Sequence, residues 1–211
     1  MKHPNFREEK KLWKKGYKRV VGLDEAGRGP LAGSVVAAAV CFNKNSVSRK
    51  TELLMIKDSK KLTPKKREEF YEMITKHPHI EWGIGRTSEK VIDRINILEA
   101  TKLAMKRAVR NLERKSSAAN FLILDGNFGI KSDIPQTSII KADEKVFSCA
   151  AASVIAKVCR DRMMLKYHKK YPRYGFDRHK GYPTKLHRKM LKKHGHSVIH
   201  RLTFNFVKKS I

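Results

Sequence analysis

The chain of 211 residues contains one stretch, residues 20–30, in which an apolar run delivers two carboxylates into a glycine-rich loop. The run reads VVGL, the acids are Asp24 and Glu25, and the loop that follows reads AGRGP. Valine and leucine favour strands, whereas clustered glycine and proline end them. The stretch therefore predicts a strand whose end carries acidic side chains beside a backbone that a ligand can approach closely.

Hydrophobic periodicity predicts a series of strands and helices along the rest of the chain. Thr63 followed by Pro64, and Asn96 three residues before Glu99, are typical of helix starts. The order of elements predicts an α/β fold in which helices flank a mixed sheet. Strands are predicted at residues 18–23, 33–42, 80–84, 121–124 and 138–140, and helices at residues 64–76, 97–114, 146–169 and 185–194.

Composition changes near residue 170. Residues 171–211 are strongly basic and poor in apolar side chains, so they cannot bury a core of their own. We therefore expect one main domain of residues 1–170, with residues 171–211 as a basic helical extension packed on it.

Net charge indicates the class of partner. Lys and Arg number 48 against 20 Asp and Glu, which gives a formal net charge of +28 at pH 7. This excess favours a polyanion such as nucleic acid or an anionic membrane surface. The longest apolar run, residues 35–42, is far shorter than the roughly 20 residues of a membrane-spanning helix, so we expect nucleic acid and no membrane. Three cysteines without CxxC spacing indicate reduced thiols in a cytoplasmic protein.

Three aspartates share one context in the sequence. Asp24, Asp125 and Asp143 each close a short apolar strand or lie just beyond one. If those strands are neighbours, their ends bring together three carboxylates, which suit a hard divalent cation. An aspartate before glycine, as at Asp125, equally well caps a turn. Glu25 joins the cluster only if the chain has already turned, because successive residues of a regular strand face opposite sides.

Four motifs follow one another along the chain. They are DEAGRGP at residues 24–30 with a glycine shortly after, DSKKL at residues 58–62, KAD at residues 141–143 leading into AAASVIAKVCRDR at residues 150–162, and GYPT at residues 181–184. Together they resemble the ribonuclease HII family, in the right order and over nearly the whole chain. Arg28 between two glycines, and the short segment before the first strand, favour this family over the sister type, ribonuclease HIII.

The resemblance implies a ribonuclease H-like fold and a set of catalytic acids. Asp24, Glu25, Asp125 and Asp143 match the family's catalytic and metal-binding positions. The implied cofactor is a divalent metal, Mg²⁺ or Mn²⁺, with two ions when substrate is bound. One ion would activate water and the other would stabilise the leaving oxygen, which leaves 5′-phosphate and 3′-hydroxyl ends.

The resemblance also implies how substrate is recognised. The loop of Gly27, Arg28 and Gly29 and the tyrosine Tyr182 match positions that recognise the 2′-OH at an RNA–DNA junction. Ser59 and Lys60 are expected to contact phosphates. The alternatives are that Tyr182 packs the C-terminal helix onto the core and that residues 59–60 belong to a solvated basic loop.

The long helix predicted at residues 146–169 carries further charges. Arg160 or Arg162 is expected to pair with an acid such as Asp161 or Glu144 at least as readily as with substrate. The small residues 150–153 predict close packing of this helix on the sheet and no further role.

The expected function is cleavage of the RNA strand of RNA–DNA hybrids by a monomeric endonuclease. Its substrates would include single ribonucleotides embedded in duplex DNA, as ribonucleotide excision requires. Two alternatives stay open, an integrase- or transposase-like nuclease on the same fold and a non-catalytic basic RNA-binding protein. Cleavage that requires both a divalent ion and a ribose would distinguish the RNA-cleaving endonuclease from these two alternatives.

Overall fold

The computed structural model describes residues 3–43 and 62–208, which form five strands and seven helices. None of these helices combines the length and the apolar character that a membrane crossing needs. The strands are β1 (Val20–Ala26), β2 (Val35–Phe42), β3 (Ile80–Thr87), β4 (Phe121–Asp125) and β5 (Gln136–Ile139). The helices are α1 (Arg7–Lys14), α2 (Pro64–Lys76), α3 (Glu89–Glu113), α4 (Phe147–Lys170), α5 (Phe176–His179), α6 (Lys185–His194) and α7 (Asn205–Lys208), with 3₁₀ turns at Ala142–Glu144 and Pro172–Tyr174.

The five strands form one sheet in the order β3–β2–β1–β4–β5. Strand β2 is antiparallel to both of its neighbours, β1 and β3. Strand β4 is parallel to both of its neighbours, β1 and β5. The predicted α/β class, a mixed sheet flanked by helices, is confirmed.

Helices cover both faces of the sheet, which explains the unbroken apolar run of β2. Ala38 and Val40 pack in the cluster that contains α4, whereas Ala37 and Ala39 pack in the cluster that contains α3. A strand that is buried on both faces loses the usual alternation of apolar and polar residues. On the α4 face, Gly22 of β1 permits a very close approach, since a Cβ there would lie 2.4 Å from Ser148 Oγ.

The helix predicted from residue 97 begins earlier, at Glu89. Asn96 interrupts it with a φ of 65° and a ψ of 168°. Its Oδ1 accepts the N–H groups of Leu98 and Glu99 at 2.9 and 3.1 Å. Asn96 therefore caps a helix as predicted, and that helix is the second half of the kinked α3. The short helices α1, α5 and α7 are not predicted from the sequence. Ser59 and Lys60, which are expected to contact phosphates, lie outside the described residues.

The C-terminal residues 171–208 are tied to the loop that follows β1. Leu31 N donates to Gly181 O, Gly33 N to Ile199 O and Arg201 N to Leu31 O, each at 2.8 Å. A small hydrophobic cluster is shared between this extension, α4 and the same loop. Its buried members are Leu31, Ala32, Met164, Tyr174, Phe176, Leu191, Ile199 and Val207.

Helix α1 is anchored by a buried carboxylate. Glu9 is 1% exposed, and its Oε1 accepts both the backbone N–H and the hydroxyl of Ser148, in the first turn of α4. Burial raises the pKa of Glu9, and the two bonds from Ser148, at the positive end of the α4 dipole, offset part of this cost.

Glu9→Ala should lower the free energy of unfolding by about 1–3 kcal/mol, because it leaves a buried N–H and a hydroxyl without an acceptor. Glu8→Ala is the matched control, since the exposed ion pair of Glu8 with Lys11 is worth only about 0–1 kcal/mol. Urea denaturation of the three proteins measures the difference. Equal losses in the two variants would show that Glu9 does not anchor α1 in this way.

Candidate active site

Three carboxylates meet at one edge of the sheet. Because β1 and β4 are parallel and Leu23 pairs with Leu124, Asp24 and Asp125 come next in register at the same end of adjacent strands. Asp143 lies in the 3₁₀ turn that follows β5. One carboxylate oxygen from each aspartate lies within 4.8 Å of the other two. The structure therefore brings together the three aspartates whose strand-end context the sequence singles out.

Hydrogen bonds from nearby groups orient two of these carboxylates. Asp24 Oδ1 accepts the N–H of Glu25, and Asp125 Oδ1 accepts the N–H of Ala142, both at 2.6 Å. The Ser153 hydroxyl on α4 also donates to Asp24. The expectation that residues 150–153 serve packing alone is thus wrong, because the close approach of α4 to β1 puts a hydroxyl beside the acid.

Burial makes this cluster electrostatically costly. Asp24 is 3% exposed and Asp143 is 1% exposed. Desolvation by burial, followed by the charges of Glu25 and Asp125, raises the pKa of Asp24 well above its usual value. A hard divalent cation takes oxygen ligands and offsets this repulsion, so the donor set fits Mg²⁺ or Mn²⁺.

Glu25 lines the same cleft but is not a member of the three-aspartate cluster. Strand β1 continues to Ala26, and a regular strand would direct Glu25 away from Asp24. Both side chains nevertheless line the cleft, and the charge of Glu25 contributes to the raised pKa of Asp24. Its Oε1 lies 3.3 Å from Arg28 Nη1. A catalytic and metal-binding role for Glu25 stays a prediction.

The cleft has a volume of about 250 Å³ and contains both expected recognition elements. Tyr182 is 39% exposed, and a Cβ at Gly29 would lie 3.9 Å from its ring. Lys157 Nζ lies 5.7 Å from the centroid of the same ring. An aromatic side chain, a glycine-rich backbone and a cation therefore border the carboxylates. The described lining residues are Asp24, Glu25, Ala26, Gly27, Arg28, Gly29, Asp125, Ser153, Lys157 and Tyr182.

Two buried arginines stand behind the glycine-rich loop. Arg201 donates to the carbonyls of Gly27, Arg28 and Gly33 at 2.6–2.9 Å. Arg160 is the close neighbour of Gly27, whose φ is +99° and whose added Cβ would lie 2.0 Å from Arg160 Nε. Arg201 is not predicted from the sequence as a site residue.

The carbonyls that Arg160 binds belong to three further residues. They are Ala32, Ser34 and Lys180, at 2.9–3.2 Å. The expectation that Arg160 or Arg162 pairs with an acid is met by Arg162 and not by Arg160, and Asp161 pairs with Lys157 at 2.8 Å. Arg162 does bind acids, Glu68 and Glu72 of α2.

Three buried histidines lie beneath the Tyr182 turn. His187 Nδ1 is 3.0 Å from Tyr182 O, and His187 Nε2 is 3.0 Å from His200 Nε2. The ring of His179 stacks on that of His187 with centroids 4.4 Å apart. Burial is the main cause that lowers the pKa of His187 to about 4 and that of His200 to about 3, and neighbouring histidines lower both further.

The low pKa values of His187 and His200 predict that acid destabilises the fold. The unfolded histidines have a pKa near 6.5, so between pH 6.5 and 5 the unfolded chain binds more protons than the folded one. Stability is therefore full above pH 6.5 and falls as the pH drops, by about 1–2 kcal/mol for each histidine at pH 5. Urea denaturation at several pH values, with His200→Gln as the non-titrating comparison, measures the effect. Parallel pH dependences in the two proteins would contradict this assignment.

Comparison with known proteins places the chain in a family. The model of the family described as Ribonuclease HII matches residues 21–207. The chain belongs to the ribonuclease HII family. A protein named ribonuclease HII from Chlamydia trachomatis serovar A is 48% identical over 209 residues, covering 97% of this chain and 92% of the relative. Another of that name, from Alkaliphilus metalliredigens, is 46% identical over 199 residues, covering 93% and 94%.

A similar solved structure has the same fold. The crystal structure of ribonuclease H2 from Pyrococcus horikoshii matches with a TM-score of 0.71 at 28% identity, covering 91% of this chain and 96% of that one. The ribonuclease H-like fold and the ribonuclease HII family, both implied by the four motifs, are thus confirmed.

Proposed function

We propose that this chain is a divalent-metal-dependent endonuclease that cuts the RNA strand of RNA–DNA hybrids, including single ribonucleotides embedded in duplex DNA. The observation that carries the proposal is the cluster of Asp24, Asp125 and Asp143, within 4.8 Å, in a chain of the ribonuclease HII family. The net charge of +28 supports a polyanionic substrate.

The three aspartates would be the metal ligands, and either Mg²⁺ or Mn²⁺ suits their oxygen donors. Divalent ions bound there would supply water activation and stabilisation of the leaving oxygen, which yields 5′-phosphate and 3′-hydroxyl ends. Ser153 and the Ala142 N–H hold the carboxylates of Asp24 and Asp125 in place. Glu25, whose partner is Arg28, would assist from the side of the loop.

The cleavage site would be determined by the loop of Gly27, Arg28 and Gly29 together with Tyr182. A 2′-OH is the chemical difference that separates RNA from DNA at one position. Glycine backbone can approach the sugar closely, and the half-exposed ring of Tyr182 offers a stacking surface and a hydroxyl. Ser59 and Lys60 are proposed to contact phosphates.

We further propose that the enzyme is a monomer in the cytoplasm. The reduced thiols expected from the sequence agree with Cys41 and Cys149, which are buried and free. In this proposal residues 1–170 are the catalytic domain and residues 171–211 a basic extension that carries Tyr182.

Cleavage of end-labelled duplexes in Mg²⁺, in Mn²⁺ and in EDTA tests the proposal. The RNA strand of an RNA–DNA hybrid should be cut in either metal and remain intact in EDTA, whereas an all-DNA duplex should remain intact throughout. Cleavage of the all-DNA duplex would favour an integrase- or transposase-like nuclease. Binding without any cleavage would favour a non-catalytic RNA-binding protein.

A further inference from the structure

Residues 199–201 lie behind both proposed recognition elements of the cleft. Their main chain pairs with the loop after β1, through Gly33 N to Ile199 O and Arg201 N to Leu31 O. Their side chains then diverge. Arg201 reaches the loop of Gly27–Gly29, and His200 reaches the helix that begins after the Tyr182 turn.

Hydrogen bonding defines the direction of a relay from Ser197 to Tyr182. The backbone N–H of Ser197 can only donate, so His200 Nδ1, at 2.9 Å, is an acceptor and His200 Nε2 carries the proton. His200 Nε2 then donates to His187 Nε2, which leaves His187 Nδ1–H to donate to Tyr182 O. A single set of neutral tautomers therefore satisfies every step and ends on the backbone of the recognition tyrosine.

The guanidinium of Arg201 holds the other recognition element. It is fully buried and divides its hydrogen bonds among Gly27, Arg28 and Gly33 carbonyls. A planar fork of N–H donors can hold three carbonyls of one loop in a fixed arrangement, which a single ammonium cannot do. Burial, and then the charge of Arg160, lower its pKa to about 9, which still leaves it protonated at neutral pH.

We propose that His187 and Arg201 are positioning residues that hold Tyr182 and the Gly27–Gly29 loop at the fixed spacing needed to recognise one 2′-OH. This inference rests on the proposed function of the same cleft. Neither residue lines the cleft, so each would act through the backbone it binds. A single embedded ribonucleotide offers one productive register, whereas a long hybrid offers many. Loss of positioning should therefore reduce activity on the first substrate more than on the second.

The variants His187→Asn and His187→Gln separate positioning from simple packing. The Asn amide can take the place of Nδ1 and keep the bond to Tyr182 O, whereas the Gln amide reaches the place of Nε2 and keeps the contact with His200. The quantity to measure is kcat/KM on a duplex with one ribonucleotide divided by kcat/KM on a long hybrid. We expect His187→Gln to lower this ratio by about 3- to 10-fold, the value of one hydrogen bond, and His187→Asn to retain most of it.

Binding in EDTA gives a second measurement that needs no cleavage. The affinity for a duplex with one ribonucleotide, relative to an all-DNA duplex, should fall in His187→Gln and be retained in His187→Asn. Equal behaviour of the two variants in both measurements would overturn the role of His187.

Arg201→Lys tests the role of Arg201, because it keeps the positive charge and removes the planar set of guanidinium N–H donors. It should lower the same kcat/KM ratio by about tenfold or more, since several charge-assisted hydrogen bonds are lost. Arg19→Lys is the matched control, a part-buried arginine bound to Glu81 at the opposite end of β1. Arg201→Lys with an unchanged ratio would overturn the positioning role. If wild-type protein cuts neither duplex, the proposed function itself is wrong, which is a separate outcome.

Discussion

Asp24→Asn and Asp125→Asn are each expected to lower cleavage by about three orders of magnitude or more, because each replaces an anionic metal ligand with a neutral amide. The amide oxygen of Asn can still accept the N–H that now binds each carboxylate, from Glu25 and Ala142 respectively, so the fold should be retained. Affinity for the hybrid should stay the same or increase, since a negative charge that faces phosphate is removed.

Two further measurements separate loss of metal from loss of fold. In EDTA both variants should be at least as stable as the wild type, because one of three mutually repelling carboxylates is gone. Mg²⁺ should stabilise the wild type and have a smaller effect on the variants, since a ligand stabilises only the state that binds it. Asp133→Asn, at an exposed aspartate outside the cluster, is the control and should behave as the wild type. Wild-type turnover in either cluster variant would show that the residue is not a ligand.

Tyr182→Ala is expected to lose most activity on a single embedded ribonucleotide and much less on a long RNA–DNA hybrid. One 2′-OH is the only cue in the first substrate, whereas the second offers many registers and an A-like shape throughout. Tyr182→Phe keeps the ring that lies beside Gly29 and Lys157 and removes the hydroxyl alone. Its loss should be about 0.5–1.5 kcal/mol in transition-state stabilisation, the value of one hydrogen bond.

The values of kcat/KM for both Tyr182 variants on both substrates measure these effects. Equal losses on the two substrates would mean that Tyr182 supports the fold or general binding. Recognition of the junction would then belong to the loop around Arg28 alone.

The part of this site that local sequence describes well is the set of strand-end acids. Asp24 and Asp125 follow short apolar runs, and parallel pairing of those runs is enough to bring their ends together. The same local rules locate the Thr63 cap, whose side chain accepts the N–H group of Lys66. Signals of this kind depend on a few neighbouring residues, so one sequence suffices to read them.

The supporting residues could not be predicted because their partners are distant in the chain. Arg201 binds carbonyls more than 160 residues away, and Glu9 binds Ser148 across 139 residues. An arginine or glutamate in a basic, polar segment has the same local appearance whether it is solvated or buried. The local sequence indicates only packing for Ser153 for the same reason, since the approach of α4 to Gly22 is a tertiary feature.

Cleavage of a DNA duplex that contains one internal ribonucleotide tests the proposed function most directly. With Mg²⁺ or Mn²⁺, purified protein should make a single cut next to the ribonucleotide and leave 5′-phosphate and 3′-hydroxyl ends, and the same duplex without the ribonucleotide should stay intact. Asp125→Asn in the same assay should leave both duplexes intact. No cleavage by the wild-type protein in either metal, or equal cleavage of the all-deoxy duplex, would contradict assignment of the three-aspartate cleft to a ribonucleotide-specific nuclease.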